Sequence, residues 1–75
     1  MTLEQLFSAV LGVPVDSLDD TSSPTSIARW DSMATMNLVA ALEEAHGIAL
    51  STAEIRALNS LGAARAMLAA RGIAS

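Results

Sequence analysis

The chain has 75 residues, room for one small domain with a single core, and no cysteine, which excludes disulfides, thiolate catalysis and cysteine-based zinc sites. Eight acids stand against four arginines and no lysine, a net charge of −4 that argues against nucleic-acid binding, which needs a basic face for phosphates. Apolar residues make up 52%, but alanine is the commonest of them, so they suffice for a helical core and not for the walls of a deep enzyme pocket as well.

Leu3, Leu6, Phe7, Val10 and Leu11 recur at i, i+3, i+4, i+7 and i+8, which predicts an amphipathic helix over 2–11. Thr2 can cap it, and Gly12 followed by Pro14 ends it. Residues 12–31 form a long connection of a kind uncommon in a compact domain. Val13, Val15, Leu18, Ile27 and Trp30 are spaced to pin it to the core, residues 14–18 suit one helical turn, and the polar stretch 19–26 reads as exposed loop. A second helix is predicted over 32–45, with Asp31 or Ser32 as N-cap and Gly47 as its stop. At about 100° per residue, Thr35, Leu38, Val39, Leu42 and His46 share the core-facing side. Met33, Met36, Asn37, Ala40, Glu43 and Glu44 share the outward side. Ile48 and Leu50 return the chain to the core, and Ser51 with Glu54 makes the capping box of a short third helix at about 52–58 that buries Ile55 and Leu58. Asn59 or Ser60 caps a fourth helix, with Leu61, Ala64 and Leu68 inward and Gly72 at the C′ position.

The expected fold is all-α: a small four-helix bundle of three longer helices and a short third, with a long loop between helices one and two, as a single domain over 1–75. The apolar runs are too short to span a membrane, and the opening residues lack the basic region of a signal peptide, so a cytoplasmic protein is expected. Residues 1–55 hold all eight acids and one arginine, whereas residues 56–75 hold three arginines, so a basic partner would be steered to the first part.

No catalytic constellation is visible. His46 lies at the far end of the second helix from Ser32, roughly 20 Å away at 1.5 Å per residue, so no triad forms between them. Asp16, Asp19 and Asp20 lack the glycine and terminal glutamate of an EF-hand loop, and no metal site is expected. The unusual feature is the run Arg29, Trp30, Asp31, Ser32, Met33, where an anchored loop delivers a serine to the first turn of a helix. An Asp-Ser pair there is, most simply, a helix cap. It also suits a serine that bears a phosphate-linked group, because the unpaired N–H groups and the dipole of a helix N-terminus partly neutralise a phosphodiester. Asp31 opposes that attraction electrostatically, so a role toward a modifying enzyme and its metal ion fits it better.

The run from Trp30 to Ile48 resembles the acyl carrier protein family, whose second helix opens with Asp-Ser-Leu. An aliphatic pair, Leu-Glu-Glu, an aromatic residue and an isoleucine-type return usually follow. The matching positions are Asp31, Ser32 and Met33, then Leu38 and Val39, then Leu42, Glu43 and Glu44, then Ile48, and the likeness in helix order extends over essentially the whole chain. The resemblance implies a non-catalytic carrier on which Ser32 bears 4′-phosphopantetheine, added from coenzyme A by a phosphopantetheinyl transferase that Asp31 assists. It implies that Met33, Asn37, Ala40, Glu43 and Glu44 form the docking face for acyl-loading and acyl-transfer or synthase enzymes. Leu38, Val39, Leu42, Ile55 and Leu61 would be core, flanking any cavity that shelters the acyl chain, and the carrier is expected to be a monomer.

The chain departs from the family pattern in three places. Met33 replaces the usual leucine at similar volume, Asn37 and Ala40 stand where many members have an acid and a methionine, and His46 stands where phenylalanine is common. With the mild net charge, these departures point to a specialised carrier of a polyketide-like or other secondary pathway. Two other readings stay open. One is an aminoacyl carrier, peptidyl or D-alanyl, the latter also using Asp-Ser-Met; the other is a helical adaptor on which Ser32 is only a cap.

Overall fold

Thr2 opens the first helix by a reciprocal exchange with Gln5: its hydroxyl accepts from the Gln5 N–H at 3.1 Å, and its own N–H donates to Gln5 Oε1 at 2.7 Å. The helix, α1, runs Leu3–Leu11 in the computed structural model, which describes residues 1–74. Gly12 ends it with φ +67°, a left-handed conformation that glycine adopts without a Cβ penalty. Ser8 Oγ then donates to the Val13 carbonyl at 2.6 Å and folds the chain back.

Pro14 precedes a single 3-10 turn over Val15–Ser17. Leu18 and Trp30 of the long connection are buried, and Val13 and Ile27 pack against the core. Two expectations need correction here. Val15 is 40% exposed and anchors nothing, because the 3-10 turn directs it outward. Ser22, in the stretch read as exposed, is buried, and its hydroxyl accepts from the Asp19 N–H at 3.0 Å.

The remaining helices are α2 over Ser32–His46, α3 over Thr52–Arg56 and α4 over Leu61–Ala70; no strand occurs among the described residues. Gly47 closes α2 in the left-handed conformation. Ser51 and Glu54 form the expected capping box on α3. That helix is shorter than expected: Leu58 is buried in the turn beyond it, and Ile55 is only half-buried. α1 packs against α2 and α4, and Phe7, Leu38, Leu42, Leu61 and Leu68 fill the centre with almost no exposure. Ala34 joins this core although the helical projection left it out, while His46 lies half-buried at the helix end. The bundle is thus of three longer helices and one short one, with its long loop lying across one side of the core.

Candidate functional site at the start of the second helix

Trp30 lies two residues before α2 begins and is 2% exposed. Its ring meets Phe7 of α1 edge-on, with centroids 5.4 Å apart and planes at 76°, a geometry favoured by aromatic quadrupoles. A buried indole needs a partner for its N–H, and Nε1 donates to Thr35 Oγ1 at 2.9 Å. Thr35 Oγ1 in turn donates to the Asp31 carbonyl at 3.1 Å, which also accepts the Thr35 backbone N–H at 3.0 Å. The start of α2 is thereby tied to the core through one aromatic side chain.

Asp31, not Ser32, caps the helix. Its backbone is extended, and its Oδ1 accepts the Ala34 N–H at 2.8 Å. Ser32 becomes the first helical residue, exposed, with a hydroxyl that makes no hydrogen bond among the described residues. A phosphodiester on that oxygen fits the site: it would extend into solvent, next to first-turn N–H groups that have no carbonyl of the preceding turn to bond. Arg29, three residues earlier, lies with its guanidinium over Gly12 at the end of α1.

The residues expected to form a docking face separate into two groups. Met33 is 70% exposed and Met36 53%, and Asn37, Ala40 and Glu44 are exposed on the same side of α2. Glu43 differs from them in its surroundings. It is half-buried, and its Oε2 accepts the Leu50 N–H at 2.8 Å, holding the segment that follows Gly47 against α2. At about 100° per residue Glu43 falls at the edge of the outward arc, and only the path of the chain after Gly47 brings a donor to it. Asp19 and Asp20 are also engaged within the chain: the Asp19 carboxyl accepts from the hydroxyl and N–H of Thr21, which hold it below its usual range, and Asp20 accepts from Arg65.

The sequence marks Trp30 as an anchor and Thr35 as a core position, but their connection around the serine between them is visible only in the structure. The signal available was a tryptophan two residues before Ser32 and a hydroxyl one helical turn after Asp31.

A comparison with curated proteins finds no match. A family model described as phosphopantetheine attachment site matches residues 2–68, from the cap of α1 to near the end of α4. The chain therefore belongs to the phosphopantetheine attachment site family, consistent with an acyl carrier protein, and its prosthetic group is 4′-phosphopantetheine.

Proposed function

We propose that this protein is an acyl carrier on which Ser32 is the attachment residue, working in a specialised biosynthetic pathway of polyketide-like or related type. One observation carries the reading above all: Asp31 caps the helix end, and the Ser32 hydroxyl is exposed and makes no hydrogen bond among the described residues. A serine whose purpose was capping would be bonded to an N–H of its own first turn.

In the loading step the Ser32 oxygen attacks a phosphorus of the coenzyme A pyrophosphate. The bond to the departing adenosine 3′,5′-bisphosphate breaks, and the hydroxyl proton passes to a base of the transferase. The chain supplies no catalytic group. It offers the hydroxyl on a fixed helix end, and Asp31 faces the transferase and its metal ion with the carboxylate oxygen that the cap leaves over. Once attached, the arm ends in a thiol that holds an acyl group as a thioester, and tethering raises the local concentration of that group at each partner's active site. Met33, Asn37, Ala40 and Glu44, joined by Met36, are the surface offered to those partners. Exposed charge pairs contribute about 0–1 kcal/mol apiece, so such docking is weak and releases readily. The carrier acts as a monomer in the cytoplasm; no helix is long and apolar enough to cross a membrane among the described residues.

The test is intact mass measurement after incubation with coenzyme A, magnesium and a broad-specificity phosphopantetheinyl transferase. The expected result is a gain of one phosphopantetheine in the native chain and none in Ser32→Ala. No gain across several transferases leaves an unmodified helical adaptor. Met33, shared with D-alanyl carriers, supports an aminoacyl cargo as the second reading, and Arg29-Trp30-Asp31 in place of glycine-rich residues opposes the peptidyl version. Offering acyl and aminoacyl donors with their loading enzymes to the modified protein separates the two. Charging by an amino-acid ligase alone would overturn the acyl assignment.

A further inference from the structure

The geometry points to Trp30 and Thr35 as positioning residues for the transfer onto Ser32, an inference that rests on the attachment role proposed above. Three bonds converge on the residue before the serine. The Asp31 carbonyl accepts both the N–H and the Oγ–H of Thr35, at 3.0 and 3.1 Å, and the Asp31 carboxylate accepts from Ala34 at 2.8 Å. Thr35 Oγ1 is itself held at 2.9 Å by the indole N–H of Trp30, whose ring is locked against Phe7 in the core. The Trp30 N–H meets the Ile27 carbonyl at 3.0 Å, which fixes the approach of the loop. The peptide unit joining Asp31 to Ser32 therefore has its position dictated by a buried ring, while the Ser32 side chain itself makes no bond among the described residues.

A helix end normally frays, because its first turn lacks backbone partners on one side. A nucleophile on such an end would sample several positions, and small displacements from the in-line geometry of a displacement reaction are costly in rate. Asp31 removes part of the fraying by capping. The Trp30–Thr35 pair removes the rest by joining the first turn to the core through a side-chain relay that regular helix geometry does not supply. The relay acts only through where it holds the serine, without touching the coenzyme.

Thr35→Val keeps the β-branched shape and loses the hydroxyl, Trp30→Phe keeps an aromatic ring in the core and loses the donor, and Thr35→Ser keeps the relay. With the apo-protein as substrate for the transferase, the kcat for Thr35→Val and for Trp30→Phe is expected to fall about tenfold with KM nearly unchanged, the signature of lost positioning in the chemical step. Thr35→Ser should restore it. The double variant should be no slower than either single one, because both break the same relay. A second readout needs no transferase: hydrogen exchange of the Ala34 and Thr35 amides, both bonded to Asp31, should speed up in Thr35→Val and Trp30→Phe, while Leu42 and Leu68 keep their protection. Native kcat in a folded Thr35→Val or Trp30→Phe overturns the inference, as does a Thr35→Ser variant as slow as Thr35→Val. If Thr35→Val does not fold, Trp30→Phe decides alone. Failure of the native chain to accept phosphopantetheine would instead remove the attachment role and this inference with it, so the two failures are told apart by the native control.

Discussion

The Leu50 N–H approaches Glu43 Oε2 at 2.8 Å, and no other acceptor is recorded for it. Removing that carboxylate leaves a donor half out of water at the point where the chain turns from α2 toward α3. Hydrogen bonds to charged groups are worth about 1.5–3 kcal/mol, and partial exposure puts this one near the low end. Glu43→Ala should therefore destabilise the protein by about 1–2 kcal/mol, whereas Glu44→Ala, at an exposed position without a partner among the described residues, should fall within about 0.5 kcal/mol of native. Urea midpoints of the two single variants check this, and equal shifts would contradict the distinction. Reversing both glutamates together confounds docking with folding, so Glu44→Lys is the cleaner probe of the proposed docking face. The pair also marks the limit of periodicity as a guide. A helical projection placed both glutamates outward, which is correct for the helix considered alone. The partner of Glu43 lies seven residues further on, past a glycine turn, and no pattern within α2 announces it. By contrast, Leu38, Leu42 and the stripe of α1 were legible because their burial follows from period alone.

α4 shows the same limit at the scale of an element. The first N–H groups of a helix lack intrahelical partners. Here the Leu61 N–H donates to the Ser22 carbonyl at 3.0 Å, the Gly62 N–H to the Asp20 carbonyl at 3.0 Å, and the Ala63 N–H to Ser60 Oγ at 2.9 Å. The loop between α1 and α2 thus caps a helix some forty residues away, which explains how a loop of its length holds one shape. Ser60 as a cap was legible from its type and place; the two loop carbonyls were not, because a polar stretch carries no sequence mark of what its backbone will meet. Gly62 is the trace this contact leaves in the sequence. A Cβ there would sit 2.8 Å from the Asp20 carbonyl oxygen and 3.1 Å from Asp20 Cβ. Replacing a helical glycine by alanine ordinarily gains up to about 1 kcal/mol. Overpacking against backbone costs about 1–3 kcal/mol, and displacing the loop weakens two hydrogen bonds as well. The clash wins: Gly62→Ala should lose about 1–2 kcal/mol, seen as a melting temperature lower by roughly 4–16 °C for a domain of this size. A variant more stable than native would show that the loop yields without cost.

Across the whole molecule, Arg65 of α4 and Arg71 at its C-cap tie that helix to the other elements. Arg65 pairs with Glu4 on α1 and with Asp20 in the loop; Arg71 forks onto both oxygens of Glu54 on α3, at 2.6 and 2.9 Å, and reaches the Ala49 carbonyl at 2.7 Å. Much of the acidity of residues 1–55 is thereby engaged inside the chain, and Glu44 is the acid left free on the outward side of α2. In the proposed docking, charge alone therefore steers weakly, and the exposed Met33 and Met36 take a larger share. The Arg71 fork has a consequence in acid. Its hydrogen bonds, helped by the Ser51 N–H, hold the Glu54 carboxyl at about 2, against an ordinary 4.5. A carboxyl whose folded pKa is depressed stabilises the fold above its unfolded pKa and loses that contribution as the pH falls through the folded one. The contribution of Glu54 is therefore complete above pH 4.5 and fades between there and about pH 2. Glu54→Gln keeps an acceptor for Ser51 but has no charge to titrate. The gap in urea midpoint between native and Glu54→Gln should be constant above pH 4.5 and narrow steadily on acidification toward pH 2. Subtracting the variant removes the titration of the other acids, Asp19 among them, which is also held below its usual range. A gap that stays constant through that window would mean that α4 is held at its C-terminal end by its apolar contacts, with the Arg71 fork contributing nothing.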